Sequence, residues 1–140
     1  SDFSKVILIP ETFIEESAAS IAYESIPPAQ VPKDRVVSFD EGEIRVTWLD
    51  DTSYQPFHRN GDTELIAKLP QKIDDVQWYK DHDHLFIQSG GVLSFIEIDT
   101  RGGLNSYPIA SFTGPFLYRE NTDSVYFFRG VKLYRIAVDF

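Results

Sequence analysis

VQWYKDHDHLFIQSGGVLSFIEID, residues 76–99, is the stretch that decides the fold, because the chain restates its pattern forty residues later. The second copy, FLYRENTDSVYFFRGVKLYRIAVD at residues 116–139, aligns with the first without a gap. The matched pairs are Val76/Phe116, Trp78/Tyr118, Leu85/Val125, Ile87/Phe127, Gly90/Gly130, Leu93/Leu133, Ile96/Ile136, Ile98/Val138 and Asp99/Asp139. A unit of this length has the size of one small antiparallel β-sheet, which cannot bury its faces alone and stacks on neighbouring units.

Turn residues divide the repeated region into predicted strands. The central unit has four, at residues 75–79, 84–89, 92–99 and 106–112, and the last unit has three, at 116–119, 124–129 and 131–139. A weaker first unit has strands at 36–39, 43–49, 54–57 and 64–69, with Phe39 aligned on Trp78, and Ile44 and Val46 aligned on Leu85 and Ile87. The sequence thus predicts an all-β fold of stacked, antiparallel, four-stranded sheets, in about three 40-residue repeats at 35–72, 73–112 and 113–140.

Residues 1–34 form a separate N-terminal segment in this prediction. The apolar run at 5–9 is typical of a short strand, and it is the candidate to supply the fourth strand that the last unit lacks. Thr12 and Glu15 match a capping box, which predicts a short helix at 12–24, although a strand at 20–26 fits the same residues equally well. Three prolines in residues 26–33 indicate an extended linker.

Composition excludes several classes of function. The net charge of −9 disfavours nucleic acid as a partner, because affinity for nucleic acid depends on basic side chains that neutralise phosphates. The chain has no cysteine, so it has neither a disulfide framework nor a thiolate nucleophile. No apolar run approaches the roughly 20 residues that span a bilayer, so we expect no membrane insertion by this segment.

The pattern of one unit resembles that of known proteins. Val76-Gln77-Trp78, a polar turn at 81–83, Ile96 to Asp99 and the Arg101-Gly102-Gly103 turn resemble β-propeller blades of the TolB and WD40-like type, especially those of large extracytoplasmic bacterial proteins. The resemblance implies a propeller-like arrangement, an extracytoplasmic or cell-envelope location, and protein docking, glycan binding or hydrolysis as functions. Three units are fewer than the 4 to 8 blades of closed propellers, so we expect self-association or another partner to cover the open ends.

Asp81, His82, Asp83 and His84 form the stretch richest in metal ligands. In an extended chain the two imidazoles would point to one face and share a zinc or nickel ion. The second copy has Asn121, Thr122, Asp123 and Ser124 at these positions, which favours a solvated turn instead. We therefore predict no metal and no cofactor, and we expect that replacing both histidines by alanine leaves stability nearly unchanged.

Paired acidic residues occur at Asp40/Glu41, Asp50/Asp51 and Asp74/Asp75. They could serve as the two carboxylates of a glycosidase, but adjacent residues of a strand point to opposite faces, so solvated turns are the favoured interpretation. The abundant aromatic residues of the last unit could stack on sugars or peptides, although core packing explains them more simply: Phe116, Tyr118, Tyr126, Phe127, Phe128 and Tyr134.

These observations predict a noncatalytic interaction or scaffold module of a larger protein, and the resemblance implies that this is a cell-envelope protein. Its expected partners are a protein or a second copy of the chain, with a glycan as a further candidate. The alternative is a carbohydrate-active or metal-dependent hydrolase fragment, or a glycan-binding module.

Overall fold

The computed structural model describes residues 7–8, 12–14, 31–51 and 58–139, and these contain twelve β-strands and no helix. The strands are β1 (Ile7–Leu8), β2 (Thr12–Ile14), β3 (Arg35–Asp40), β4 (Glu43–Trp48), β5 (Thr63–Lys68), β6 (Ile73–Trp78), β7 (His84–Ser89), β8 (Val92–Glu97), β9 (Ser106–Ser111), β10 (Phe116–Arg119), β11 (Ser124–Arg129) and β12 (Lys132–Asp139). The predicted all-β fold is confirmed. Within these ranges no helix has the length and apolar character needed to cross a bilayer.

The strands form three antiparallel sheets. The first sheet contains β3, β4 and β5, and the middle sheet contains β6 to β9, each in chain order. The last sheet contains β10, β11 and β12 in chain order, and both β1 and β2 pair with the remaining edge of β12. Every pairing is between antiparallel strands, so short turns suffice to connect neighbours within a sheet.

The N-terminal strands complete the last sheet. Ile7 pairs with Asp139 and Leu8 pairs with Val138, which confirms for these two residues the hypothesis that the N-terminal run supplies the missing strand. The helix predicted to begin at Thr12 is wrong at its start, because residues 12–14 form β2 and pair with residues 133–135. The free edge of β12 offers the backbone partners that outweigh the capping-box signal. Residues 15–30, where the rest of the helix and the alternative strand were predicted, lie outside the described residues.

The first sheet differs from its prediction in the order of its strands. β4 pairs directly with β5, with Thr47 opposite Thr63. Residues 52–57 lie outside the described residues. The sheet has three described strands instead of the predicted four.

One backbone hydrogen bond recurs in all three sheets and fixes how they correspond. The amide nitrogens of Leu49, Ile98 and Val138 donate to the carbonyl oxygens of Asp34, Asp83 and Asp123, at 2.8, 3.0 and 2.8 Å. These bonds align β3 with β7 and β11. The predicted alignment of Phe39 on Trp78, and of Ile44 and Val46 on Leu85 and Ile87, requires β3 and β4 to match β6 and β7 and is therefore wrong. No described strand of the first sheet occupies the position of β6.

Two apolar layers lie between the sheets. The layer between the first and middle sheets contains Ile44, Val46, Trp48, Ile66, Ala67, Ile73, Trp78, Leu85, Ile87, Ile96 and Ile98. The layer between the middle and last sheets contains Tyr79, Phe86, Leu93, Phe95, Phe112, Phe116, Tyr118, Val125, Phe127, Ile136 and Val138. Side chains alternate along β7, so Leu85 and Ile87 enter the first layer while Phe86 enters the second. The middle sheet is apolar on both faces and is packed on both.

Trp78 and Tyr118 test the two layers separately. Trp78 is 5% exposed in the first layer, and Tyr118 is 0% exposed in the second. We expect Trp78→Ala and Tyr118→Ala each to lower the free energy of unfolding by about 3 to 5 kcal/mol, because each removes a large buried side chain and leaves a cavity. Urea denaturation measures the change, and Val131→Ala at an exposed turn is the control with little expected effect. A negligible shift for either buried residue would contradict this packing.

Candidate functional site

The turn between β6 and β7 separates the two candidate metal-binding histidines. His82 is half-buried in the turn with a φ of 60°, and its ring meets the Trp78 ring edge-on at 6.3 Å. His84 begins β7 and is 0% exposed. The part of the chain that the structure describes contains no group of three or more His, Cys, Asp or Glu side chains arranged to hold a metal ion.

His84 is a buried structural residue, and the prediction of a solvated turn is wrong for it. Its Nδ1 lies 2.6 Å from the Asp81 carboxylate, and its Nε2 lies 3.5 Å from a carboxylate oxygen of Glu97. The imidazole stacks on Phe95 at 4.8 Å and meets the Tyr79 ring edge-on. Side chains alternate between the two faces of β7, so His84 lies on the same face as Phe86, toward the last sheet.

Asp81 anchors this arrangement. Burial opposes ionisation of its carboxyl group, but hydrogen bonds from the His84 ring and from the amide nitrogens of Asp83 and His84 outweigh burial and lower the pKa below its ordinary value. The carboxylate is therefore a charged acceptor that orients the imidazole. Its contacts with the His84 ring and two backbone amides stabilise the turn.

The two histidines should behave differently when they are replaced. We expect His84→Ala to lower the free energy of unfolding by about 2 to 4 kcal/mol, because it leaves a cavity and deprives the mostly buried Glu97 of its neighbour. His82→Ala should change it by less than about 1 kcal/mol. Thermal and urea denaturation of the two single variants measure the difference. Equal, small effects would contradict the buried position of His84 and restore the solvated-turn interpretation.

Polar side chains join the middle sheet to the last sheet. The Gln77 amide nitrogen donates to the carbonyl oxygen of Phe116 at 2.8 Å, and its Oε1 accepts from the amide of Tyr118 at 3.0 Å. The hydroxyls of Tyr118 and Tyr79 donate to the Asp123 carboxylate at 2.7 and 3.2 Å. Burial, together with the adjacent Asp123, raises the pKa of Tyr118, which keeps its hydroxyl a donor.

A comparable contact joins the first sheet to the middle sheet. Arg35 donates from Nη1 to the carbonyl oxygen of His82 at 2.7 Å and lies 3.3 Å from the Asp83 carboxylate. Its guanidinium also covers the Trp48 ring at 4.3 Å. Asp83 thus contributes to an interface between two sheets.

The candidate binding site is a cleft of about 470 Å³ at the boundary of the middle and last sheets. It is lined by Asp74, Asp75, Gln88, Gly91, Phe112, Thr113, Gly114 and Pro115. Residues 112–115 cross from β9 to β10, with Gly114 at a φ of 92°, a conformation that favours glycine. The Gln88 side chain holds this crossing in place, because its Nε2 donates to the carbonyl oxygen of Gly114 at 2.8 Å.

A β-bulge brings both acidic residues of one pair into this cleft. The ladder between β6 and β7 pairs Ile73 with Ser89 and then Asp75 with Gln88, so Asp74 is an extra residue. A bulge interrupts the alternation of side chains, which is why Asp74 and Asp75 line the same cleft. The predictions that this pair lies in a solvated turn, and that adjacent acids must face apart, are wrong here.

The aromatic residues of the last unit serve mainly in packing. Phe116, Tyr118, Tyr126 and Phe127 are buried, and Phe128 and Tyr134 are half-buried. Phe112 and Phe127 stack at 4.2 Å. The four buried rings therefore cannot serve as a stacking platform for sugars.

Sequence reasoning identified Asp74 and Asp75 but missed the rest of the cleft. Gln88 is the third inward residue of β7 after His84 and Phe86, and a polar residue at an inward position is the signal that could have identified it. Nothing in the sequence of residues 112–115 indicates that they line a cleft, because this depends on how the middle and last sheets pack against each other.

Comparison with known proteins assigns this chain to no family. No protein-family model matches it, and no curated protein and no solved structure matches it either. The resemblance to TolB and WD40-like blades therefore stays a prediction.

Proposed function

We propose that this chain is a noncatalytic interaction module, and that it serves within a larger cell-envelope protein, as the resemblance implies. The observation that carries the proposal is that several histidine, aspartate and arginine side chains are engaged in contacts that hold the fold together. His84, Asp81 and Asp123 bond to neighbouring groups within or between the sheets, and Arg35 does the same at the other interface. Side chains fixed in this way stabilise the fold and leave binding as the role of the open surfaces.

The cleft is the surface that best supports binding. Concave sites with apolar walls and a few oriented polar groups are the usual places where proteins hold a ligand. Here Phe112 and Pro115 supply apolar surface, while Asp74, Asp75 and Gln88 supply polar atoms. A protein partner fits this combination better than a glycan does, because Phe112 stacks on Phe127 and offers the cleft a small apolar area rather than the open ring face that stacks on a sugar.

The outward face of the first sheet supports self-association as a second form of the same function. Val36 and Leu65 are 44% and 48% exposed, and the register places them on the side of the sheet opposite the apolar layer. On the outward side of the last sheet, Ser124 and Tyr126 are buried, and Leu117 and Phe128 are half-buried. A second copy would therefore dock on the first sheet.

A hydrolase remains the alternative, because two carboxylates line one cleft. A panel of labelled oligosaccharides and esters distinguishes the two functions. We expect no turnover by the native chain above that of Asp75→Asn. Turnover that Asp75→Asn abolishes would contradict the interaction function and establish hydrolysis.

Binding is tested in two ways. A phage-displayed random heptapeptide library probes for a protein partner, and light scattering of the purified chain probes for self-association. We expect the folded protein, and not its heat-unfolded form, to enrich peptides that share a sequence pattern, or to show a mass that rises with concentration. A folded chain that enriches no peptides and stays monomeric at high micromolar concentration would contradict the proposal.

A further inference from the structure

The polar atoms that the side chains of the cleft leave to a ligand are mainly hydrogen-bond acceptors. Gln88 is only 4% exposed, and its amide nitrogen is committed to the carbonyl oxygen of Gly114. Its Oε1 receives no hydrogen bond from the described residues, and because the side chain lines the cleft we take this carbonyl oxygen as an acceptor that a ligand can use. Since the amide nitrogen must donate to Gly114, the orientation of the amide is fixed.

Two carboxylates line the same cleft as Gln88, and Asp75 lies opposite Gln88 in the ladder between β6 and β7. Asp75 is held by the amide of Val76 at 2.9 Å and by the Gln77 amide nitrogen at 3.1 Å, and Asp74 is exposed at the bulge. The cleft lining contains no lysine or arginine, so no basic side chain of the lining neutralises the pair. Held acceptors with uncompensated negative charge select a ligand that carries positive charge and several donors.

The size and the apolar surface of the cleft limit further which ligands can fit. Its volume of about 470 Å³ admits a side chain rather than a folded element. Phe112 and Pro115 offer apolar surface to an aliphatic stem, while the acceptors meet its charged end. A guanidinium presents five donors in a planar fork, which suits two carboxylates and a carbonyl better than the compact ammonium of lysine does.

We propose that the cleft between the middle and last sheets binds an arginine side chain presented by a protein partner. This inference rests on the proposed interaction function and names the group that the partner inserts. Asp74 and Asp75 bind the guanidinium, Gln88 accepts a further hydrogen bond through Oε1, and Phe112 and Pro115 cover the methylene groups.

The direct test is a titration of the ¹⁵N-labelled native chain with N-acetyl-arginine amide, followed by amide chemical shifts. We expect saturable shifts with a millimolar dissociation constant, centred on residues 74–75, 88–91 and 112–114. N-acetyl-citrulline amide has nearly the same shape without the charge, and it should bind at least tenfold more weakly. Equal binding of the two probes, or shifts centred elsewhere, would overturn the proposal.

Matched variants separate the cleft from general electrostatics. Asp74→Asn with Asp75→Asn should weaken the arginine probe at least tenfold, whereas Asp40→Asn with Glu41→Gln removes the same charge at an exposed turn and should weaken it less than twofold. Equal losses in the two double variants would show attraction by net charge only and would overturn the proposal.

The same variants distinguish this inference from the proposed function. Peptides enriched by the native chain should contain arginine and should lose affinity for Asp74→Asn with Asp75→Asn. If enriched peptides bind that variant unchanged, the arginine site is wrong while the interaction function stands. If the arginine probe binds the cleft but no peptide is enriched and no self-association occurs, the interaction function is wrong, and the partner-presented arginine is wrong with it.

Discussion

The middle sheet cannot exist in water alone, and the rest of the structure depends on this constraint. Its strand β7 carries Leu85 and Ile87 on one face and Phe86 on the other, and all of them are buried. Hydrophobic surface on both faces requires a neighbouring sheet on each side. The first and last sheets supply these neighbours, and we therefore expect the two apolar layers to form together.

Polar contacts fix the relative position of sheets that apolar packing brings together. Apolar contact is non-directional, whereas the bonds from Gln77 to the backbone of residues 116 and 118 hold at one offset of the two sheets. Arg35 has the same effect at the other interface through the backbone of His82. The cleft follows from this fixed geometry, because the bulge at Asp74 and the crossing held by Gln88 meet at the boundary of two sheets.

The sequence predicted most strands of the middle and last sheets because alternation and turn residues act over short distances. The gapless match between residues 76–99 and 116–139 also gave their correspondence. The first sheet was misaligned because its correspondence to the other two sheets is shown by the Leu49–Asp34 backbone bond, which no side-chain pattern reveals. The helix predicted at Thr12 failed for a similar reason, since the pairing partner of β2 lies more than a hundred residues away.

The candidate site was less predictable than the fold. Comparison with Ser124 suggested that His84 is a solvated polar turn residue, yet both residues are buried. Two aligned polar residues show that the position is polar, but they do not show that it is exposed to solvent. Asp74 and Asp75 were identified from the sequence, but a bulge set their common direction, and Gln88 acquired its role from a crossing segment that is remote in the chain.

Native-state hydrogen exchange of two single variants tests most directly whether the middle sheet unites the three sheets. Leu85→Ala perturbs the layer toward the first sheet, and Phe86→Ala perturbs the layer toward the last. If the sheets depend on one another, each variant lowers the protection of slowly exchanging amides in β4, β7 and β11 by a similar amount, about 2 to 4 kcal/mol. If Leu85→Ala weakens β4 while β11 keeps its full protection, the sheets are independently stable and the account is contradicted.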